Sequence, residues 1–271
     1  MKRKRAAAIL ELICIDLSEG WRFPIPELLS FLYTLFPLLF SYLIRSLAIE
    51  PPEAKLLLAV SVSQGTISLI TMLLVLKNIS YGLANEVKKG LIQTYLSYPI
   101  KRSSLLLTKI VTGILIPILY VVASTMLFAY INFPGLLFRR GIVLLLGLGS
   151  LIGRLSLMSG LLLLVAVTVR GGGTSLGLGI ALLFGMDVLS MSLNMLGGMT
   201  GERLYWDAYY LLNPLEALVI HYGSPHFIYF GYANAFKPGF LTCIIYLSSH
   251  YLIVVLVYVL TFIYFTRRFE P

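Results

Sequence analysis

The segment Asn85–Lys109, "NEVKKGLIQTYLSYPIKRSSLLLTK", is a basic, amphipathic connector between two long apolar runs. It carries six charged residues: Glu86, Lys88, Lys89, Lys101, Arg102 and Lys109. The run before it, 56–76, and the run after it, 110–131, have no charged residue at all. Because about 20 apolar residues suffice for a helix to cross a bilayer, the sequence predicts two membrane spans joined by this connector.

The composition extends this reading to the whole chain. Of 271 residues, 58% are hydrophobic and only 12% are charged, and the mean hydropathy is +0.90. A soluble domain is usually about one quarter charged, so the composition is typical of an integral membrane protein. The net charge of +9 does not point to nucleic acid, because the basic residues flank the apolar runs.

The fold class predicted is an all-α integral membrane protein with one transmembrane domain over 1–271. Backbone groups in hydrocarbon must pair within their own segment, which favours helices over open strands. The predicted spans are 23–44, 56–76, 110–131, 141–169, 174–200 and 239–266. A cytoplasmic region between the second and third spans is predicted over 79–104, and an aromatic-rich outer segment, 201–238, is expected to rest on or dip into the membrane.

The first 22 residues predict an interfacial helix rather than a cleaved signal peptide, since Glu11 and Asp16 interrupt the apolar stretch. On helical spacing Leu10 lies on the apolar face, whereas Leu12 falls on the polar side.

Orientation follows from the basic residues, which accumulate on the cytoplasmic side of membrane proteins. With a cytoplasmic N-terminus, the inner side receives Lys2, Arg3, Lys4, Arg5, Arg22, Lys77, Lys88, Lys89, Lys101, Arg102, Lys109, Arg170, Arg267 and Arg268. The outer side receives Arg45, Lys55, Arg139, Arg140, Arg203 and Lys237. The chain is therefore predicted to be a multi-pass protein of the cell membrane with both termini in the cytoplasm.

Two charges are predicted to lie inside the membrane, Arg154 in the fourth span and Asp187 in the fifth. A single charge at the bilayer centre costs about 2.5–3.5 kcal/mol on insertion scales. Antiparallel spans place the two at similar depth, so we expect an ion pair, either as a structural clasp or on a transport path. His250 is expected to be a satisfied polar side chain of the sixth span. Gly149 and Gly153 have the spacing of close helix packing.

The segment "ANEVKKGLIQTYLSYPIKRSSLLLTKI" resembles the cytoplasmic signature of the permeases of type-2 ATP-binding-cassette transporters. The matching positions are Glu86, Gly90, Ser97, Pro99, Ile100, Arg102 and Lys109. Gln93 and Thr108 depart from the pattern, where an acidic residue and a glycine are usual. "LLNPLEAL", Leu211–Leu218, which includes Asn213, Pro214 and Glu216, is similar to a motif of that family's outer segment.

The resemblance implies a permease subunit, most simply an exporter, that pairs with a second permease copy or a sibling and with two cytosolic P-loop ATPase subunits. The connector would be the coupling helix, with Glu86, Lys88, Lys89, Gly90, Pro99, Arg102 and Lys109 as its coupling residues. The chain would bind no cofactor and would not be an enzyme, because ATP and Mg²⁺ would belong to the partner. No lysine directly follows a glycine in the sequence, so the chain has no Walker A motif.

Three other functions remain open from the residues. An ion-coupled secondary transporter would use Arg154 and Asp187. An intramembrane lipid-modifying enzyme would need clustered acidic or histidine side chains. A non-transporting anchor or assembly factor would fit the composition alone.

Overall fold

A computed structural model of the chain describes residues 10–18, 31–33, 35, 39, 52–92, 101–169, 171–223 and 236–268, and this part contains helices and no β-strand. Helix α1 covers residues 10–18. The remaining elements are α2 (Pro52–Val75), a first π-helical segment (Leu76–Leu83), α3 (Ala84–Lys88), α4 (Arg102–Ile110), a second π-helical segment (Val111–Leu115), α5 (Ile116–Asn132), α6 (Pro134–Thr168), α7 (Gly172–Thr200), α8 (Arg203–Leu212), α9 (Pro214–Tyr222) and α10 (Phe240–Arg268).

Five helices of the described part are long and apolar enough to cross a membrane: Ile67–Lys88, Arg102–Asn132, Pro134–Thr168, Gly172–Thr200 and Phe240–Arg267. They correspond to the second to sixth predicted spans, so a multi-pass helical membrane protein is supported. The predicted first span, 23–44, lies almost wholly outside the described residues. The same holds for most of the predicted interfacial helix 1–22, of which only 10–18 is described and is helical.

The helices extend beyond the predicted spans at the connector. The second predicted span ends at residue 76, but the helix continues through the first π segment and α3 as far as Lys88. The third was predicted to start at residue 110, yet its helix begins at Arg102. The fourth starts earlier as well, at Pro134, with non-helical backbone at Arg140. Hydropathy locates the apolar stretch of a helix, whereas its polar extension is fixed by backbone hydrogen bonds and tertiary contacts.

The two ends of the helical bundle carry different contacts. We call the end formed by α1, α3 and the start of α4 the connector end. We call the opposite end the hairpin end, because a hairpin formed by α8 and α9 enters the bundle there. The start of α6 also lies at this end, where Arg140 Nε is 2.9 Å from Glu53 Oε1 at the start of α2. Arg140 is one of the basic residues predicted on the outer side, and this ion pair gives its charge a local partner.

Helices α8 and α9 form a hairpin that enters the bundle from the hairpin end and turns at Asn213. Its entry is held near α10, where His221 Nδ1 lies 2.9 Å from the Pro238 carbonyl oxygen. Its tip contacts Ser190, ten residues before the end of α7, which is a depth of about 15 Å at 1.5 Å per residue. This is about half of a 30 Å hydrocarbon layer. The predicted outer segment therefore includes a helical pair that reaches the middle of the bundle.

Helix α6 lies at the centre of the bundle and packs closely against α10. A β-carbon at Gly153 would lie 3.0 Å from the His250 ring, and one at Gly160 would lie 2.9 Å from the Tyr258 ring. At Gly149 the nearest atom would be 4.0 Å away. Glycine at positions 153 and 160 permits the close approach of α6 and α10, so these two glycines of the fourth span serve packing within the chain, whereas Gly149 makes no such close contact.

Candidate functional site

The connector end contains a buried ionic cluster centred on Lys109. The Lys109 Nζ donates to Asp16 Oδ1 and to Glu86 Oε1, each at 2.7 Å. Thr112 Oγ1 donates to the other Asp16 oxygen at 3.4 Å. The exposed fractions of the three charged side chains are 9% for Lys109, 12% for Asp16 and 19% for Glu86. The cluster thus fastens α1, α3 and α4 to one another at one point.

Asp16 reaches this cluster because one face of α1 turns toward the bundle. Leu12, one helical turn earlier, is only 8% exposed, whereas Leu10 is 62% exposed. The sequence placed Leu12 on the polar side of this helix, and that placement is wrong, because the face shared by Leu12 and Asp16 packs on protein. Asp16 was not predicted as a site residue. The available signal was its spacing of four from an apolar residue on the same face.

Two π-helical segments meet beside the cluster. A β-carbon at Gly113, in the second segment, would lie 2.5 Å from Ile79 Cδ1 in the first. Ser80 Oγ of the first segment also donates to the Ser175 carbonyl oxygen of α7 at 2.8 Å. π-Helical turns are rare in proteins, and those that occur are often found at functional sites. Here they flank a cavity of about 260 Å³ whose lining includes Lys77, Asp16 and Glu86.

The predicted coupling residues are divided between the interior and the surface. Glu86 and Lys109 point inward, into the cluster. Lys88 and Lys89 are exposed at the end of α3, and Gly90 follows them with a φ of +72°, a conformation that glycine adopts without strain.

The other two predicted coupling residues have different positions. Arg102 begins α4 and donates from Nη1 to the Thr266 carbonyl oxygen of α10 at 3.5 Å. Pro99 lies outside the described residues.

A second polar group lies at the middle of the bundle, where the tip of the hairpin meets α6 and α7. Arg154 donates from Nη2 to Asp187 Oδ1 at 2.9 Å, so the two residues predicted to pair are in contact. Its Nη1 donates to the Asn213 side-chain oxygen. The Asn213 amide in turn donates to Ser190 Oγ at 3.1 Å, and Asn213 is 2% exposed.

The two ends of the ion pair differ in their access. The Arg154 side chain is 23% exposed and the Asp187 side chain is 61% exposed. Asp187 therefore presents a carboxylate on the outside of α7, at mid-depth. The sequence signal for this pair was two charges in antiparallel spans. Asn213 was predicted as a residue of the outer segment but not as a partner of Arg154, and Ser190 was not predicted.

Pro214 and Glu216 begin the second helix of the hairpin. Pro214 is buried in the first turn of α9. Proline has no backbone N–H, and it is tolerated here because the N–H groups of a first turn have no acceptor within the helix. Glu216 also lies in the first turn of α9, where a carboxylate is favoured by the helix dipole. Glu216, Asp187 and Arg154 all line a second cavity, of about 300 Å³.

His250 and Tyr210 anchor the hairpin to the rest of the chain. His250 Nδ1 lies 2.9 Å from the Leu211 carbonyl oxygen, and the residue is fully buried. The Tyr210 hydroxyl donates to the Phe236 carbonyl oxygen at 2.8 Å. Among residues that the structure describes, no group of three or more His, Cys, Asp or Glu side chains is arranged to hold a metal ion.

Comparison of the chain with protein-family models and with curated proteins finds no match.

Proposed function

We propose that this chain is the membrane-spanning subunit of an ATP-driven exporter of the type-2 ATP-binding-cassette kind, and that cytosolic P-loop ATPase subunits dock on its connector end. The observation that carries the proposal is the position of the buried Lys109, which joins α1, α3 and α4 through two partly buried carboxylates. A coupling element must hold a rigid shape relative to the spans that it moves, and this cluster provides such a joint.

The shape of the second span supports the same role. Helix α2, the first π segment and α3 follow one another without a break from Pro52 to Lys88. A push on Lys88 is therefore transmitted along a helix rather than absorbed in a loop. Rigid-body movement of helices is one of the ordinary ways in which proteins couple distant sites.

The surface available to a partner is the exposed end of α3 with its following turn. Lys88 and Lys89 are exposed there, and Leu91 is 40% exposed. Basic and apolar groups together suit a cleft with acidic walls, since charge complementarity sets specificity and association rate more than affinity. In this proposal Glu86 positions the connector, and the two lysines contact the ATPase. ATP and Mg²⁺ bind to the ATPase.

A second permease copy, or a sibling, is also part of the proposal. In the apolar stretch of α7 only 6% is buried within the chain, compared with 61% in the apolar stretch of α6. The exposed Asp187 carboxylate on α7 would be costly against lipid at mid-depth. A face with these properties suits contact with another subunit around a hydrated path.

The test is affinity purification of the full chain from its native membrane in mild detergent, followed by mass spectrometry and measurement of ATP hydrolysis. We expect a P-loop ATPase to co-purify, and the double variant Lys88→Glu/Lys89→Glu to reduce its yield at least tenfold, because like charges across an interface are strongly unfavourable. The matched control, Arg139→Glu/Arg203→Glu, reverses two exposed charges at the hairpin end and should leave the yield unchanged. An equal amount of ATPase with both double variants contradicts the docking role.

An ion-coupled secondary transporter is the second candidate, favoured by the exposed carboxylate of Asp187 beside Arg154. It predicts that liposomes containing only this chain take up protons when a pH gradient is imposed. That uptake should be abolished by Asp187→Asn. The ATP-driven exporter predicts no such flux from the chain alone.

A further inference from the structure

The cavity between α2, α6, α7 and the hairpin has the properties of a binding site at the middle of the membrane. It has a volume of about 300 Å³, the lower end of the range for small-molecule sites. Its depth follows from the hairpin tip, since Arg154 in its wall donates to Asn213. A bilayer-depth cavity with charged walls is expensive to maintain and is by default a functional feature.

The walls of the cavity include five apolar side chains. Leu69 and Met72 of α2, Leu155 and Met158 of α6, and Leu183 of α7 line it. Such a lining fits a hydrophobic body, and methionine side chains adapt to ligands of different shape. Ser61 and Ser68 add hydroxyl groups along the α2 wall.

The charges in the wall favour a cation. Among the described residues of the lining, Arg154 is basic, whereas Asp187 and Glu216 contribute two carboxylates. The two helix ends at the hairpin tip do not alter this balance. The C-terminus of α8 and the N-terminus of α9 carry partial charges of opposite sign, about half a unit each.

The position of the Arg154 guanidinium strengthens this asymmetry. Its two terminal nitrogens already donate to Asn213 and to Asp187. Asp187 nevertheless remains 61% exposed. An incoming cation therefore meets an accessible carboxylate, whereas an incoming anion meets a guanidinium that is engaged on both sides.

We propose that this cavity binds a hydrophobic organic cation, with its apolar body between α2 and α6 and its positive charge against Asp187 and Glu216. The inference rests on the proposed function in one respect only, which is that such a molecule would be the cargo. Binding itself needs no ATPase, so the two ideas can fail separately.

The experiment uses tetraphenylphosphonium and tetraphenylborate, two ions of matched shape and opposite charge. The full chain is purified in detergent without any ATPase, and binding of radiolabelled tetraphenylphosphonium is measured by equilibrium dialysis against protein-free micelles. We expect saturable binding at one site per chain, with no competition from tetraphenylborate. Asp187→Asn and Glu216→Gln should each weaken it about tenfold, the effect expected for loss of one charged contact.

A matched control and a filling variant complete the test. Asp207→Asn removes a carboxylate near the hairpin end, outside the cavity, and should not change binding. Ser68→Leu keeps both carboxylates but fills part of the cavity, and it should also weaken binding. Size-exclusion profiles and melting temperatures identify any variant that has lost its fold.

Absence of saturable tetraphenylphosphonium binding overturns the proposal, and so does binding that tetraphenylborate matches or that Asp187→Asn and Glu216→Gln leave unchanged in folded protein. If the cation binds but no ATPase associates with the chain, the cavity assignment stands and the exporter function fails. If an ATPase associates and the cation does not bind, the reverse holds.

Discussion

Replacing Lys109 by methionine should be among the most destabilising single changes in the described part of the chain. The substitution keeps most of the volume and removes the charge that separates two carboxylates. Asp16 and Glu86 would remain in place, with exposed fractions of 12% and 19%. Their nearest oxygens now lie on the same nitrogen at 2.7 Å each, so they are no more than about 5.4 Å apart.

The magnitude follows from two contributions. Two unit charges about 5 Å apart repel each other by about 3 kcal/mol at an effective dielectric constant of about 20. Removal of one partner from a buried ion pair typically costs about 3–5 kcal/mol, because the remaining charge is left desolvated. Because these two energies partly describe the same effect, their sum would be too large. The expected decrease in the free energy of unfolding is about 3–5 kcal/mol.

The assay is the free energy of unfolding of the full chain in mixed dodecyl maltoside and SDS micelles, followed by circular dichroism. The matched control is Arg203→Met, which breaks the Arg203–Asp207 pair, 3.4 Å long and with side chains 65% and 39% exposed. An exposed pair of this kind contributes at most about 1 kcal/mol.

A compensated variant tests whether charge or packing is responsible. When Lys109→Met is combined with Asp16→Asn and Glu86→Gln, all three charges are absent and the shapes are nearly kept. We expect this triple variant to recover more than half of the lost stability. The reasoning is refuted if Lys109→Met costs no more than the Arg203→Met control, or if the triple variant is no more stable than the single one.

Two further predictions use the same unfolding measurement. Gly160→Ala should cost about 1–3 kcal/mol, because the new methyl group would lie 2.9 Å from an aromatic ring of α10 and the helices must separate. Gly149→Ala on the same helix, with its nearest atom 4.0 Å away, should change stability by less than about 0.5 kcal/mol, and equal effects would contradict the packing argument. Asn213→Leu should cost about 1.5–3 kcal/mol, because Arg154 loses the acceptor of one charged hydrogen bond inside the bundle. A loss that persists when Arg154→Met is already present would show that this contact is not its cause.

The parts of the structure that the sequence predicts are those fixed by local composition. Apolar length locates the five described long helices, since a helix is the conformation that satisfies its own backbone in hydrocarbon. The contact between Arg154 and Asp187 is also expected, because the cost of an isolated charge in the membrane favours a partner at the same depth.

The parts that it does not predict depend on how helices face each other. Asp16 and Lys109 are 93 residues apart, and their pairing requires the rotation of α1 that also buries Leu12. The π segments arise where Gly113 meets Ile79, a contact that no local pattern encodes. The aromatic residues of segment 201–238 predicted that it rests on or dips into the membrane, but they gave no sign that Trp206 and Tyr210 would be almost fully buried within the protein.

One continuous helical run, from α2 to α3, joins the wall of the mid-depth cavity to the Lys109 cluster, and this gives the proposed mechanism a length scale. Ser68 lines the mid-depth cavity, and Lys88 ends the same helical run 20 residues later, about 30 Å away. A tilt of about 10° about Ser68 would therefore displace Lys88 by about 5 Å, the size of one helical turn. Lys109 makes α1 and α4 follow that displacement, since it holds Glu86 and Asp16 together. Under the proposed function, closure of the ATPases thus need move the connector by only a few ångströms to shift the α2 wall of the cavity against α6 and α7.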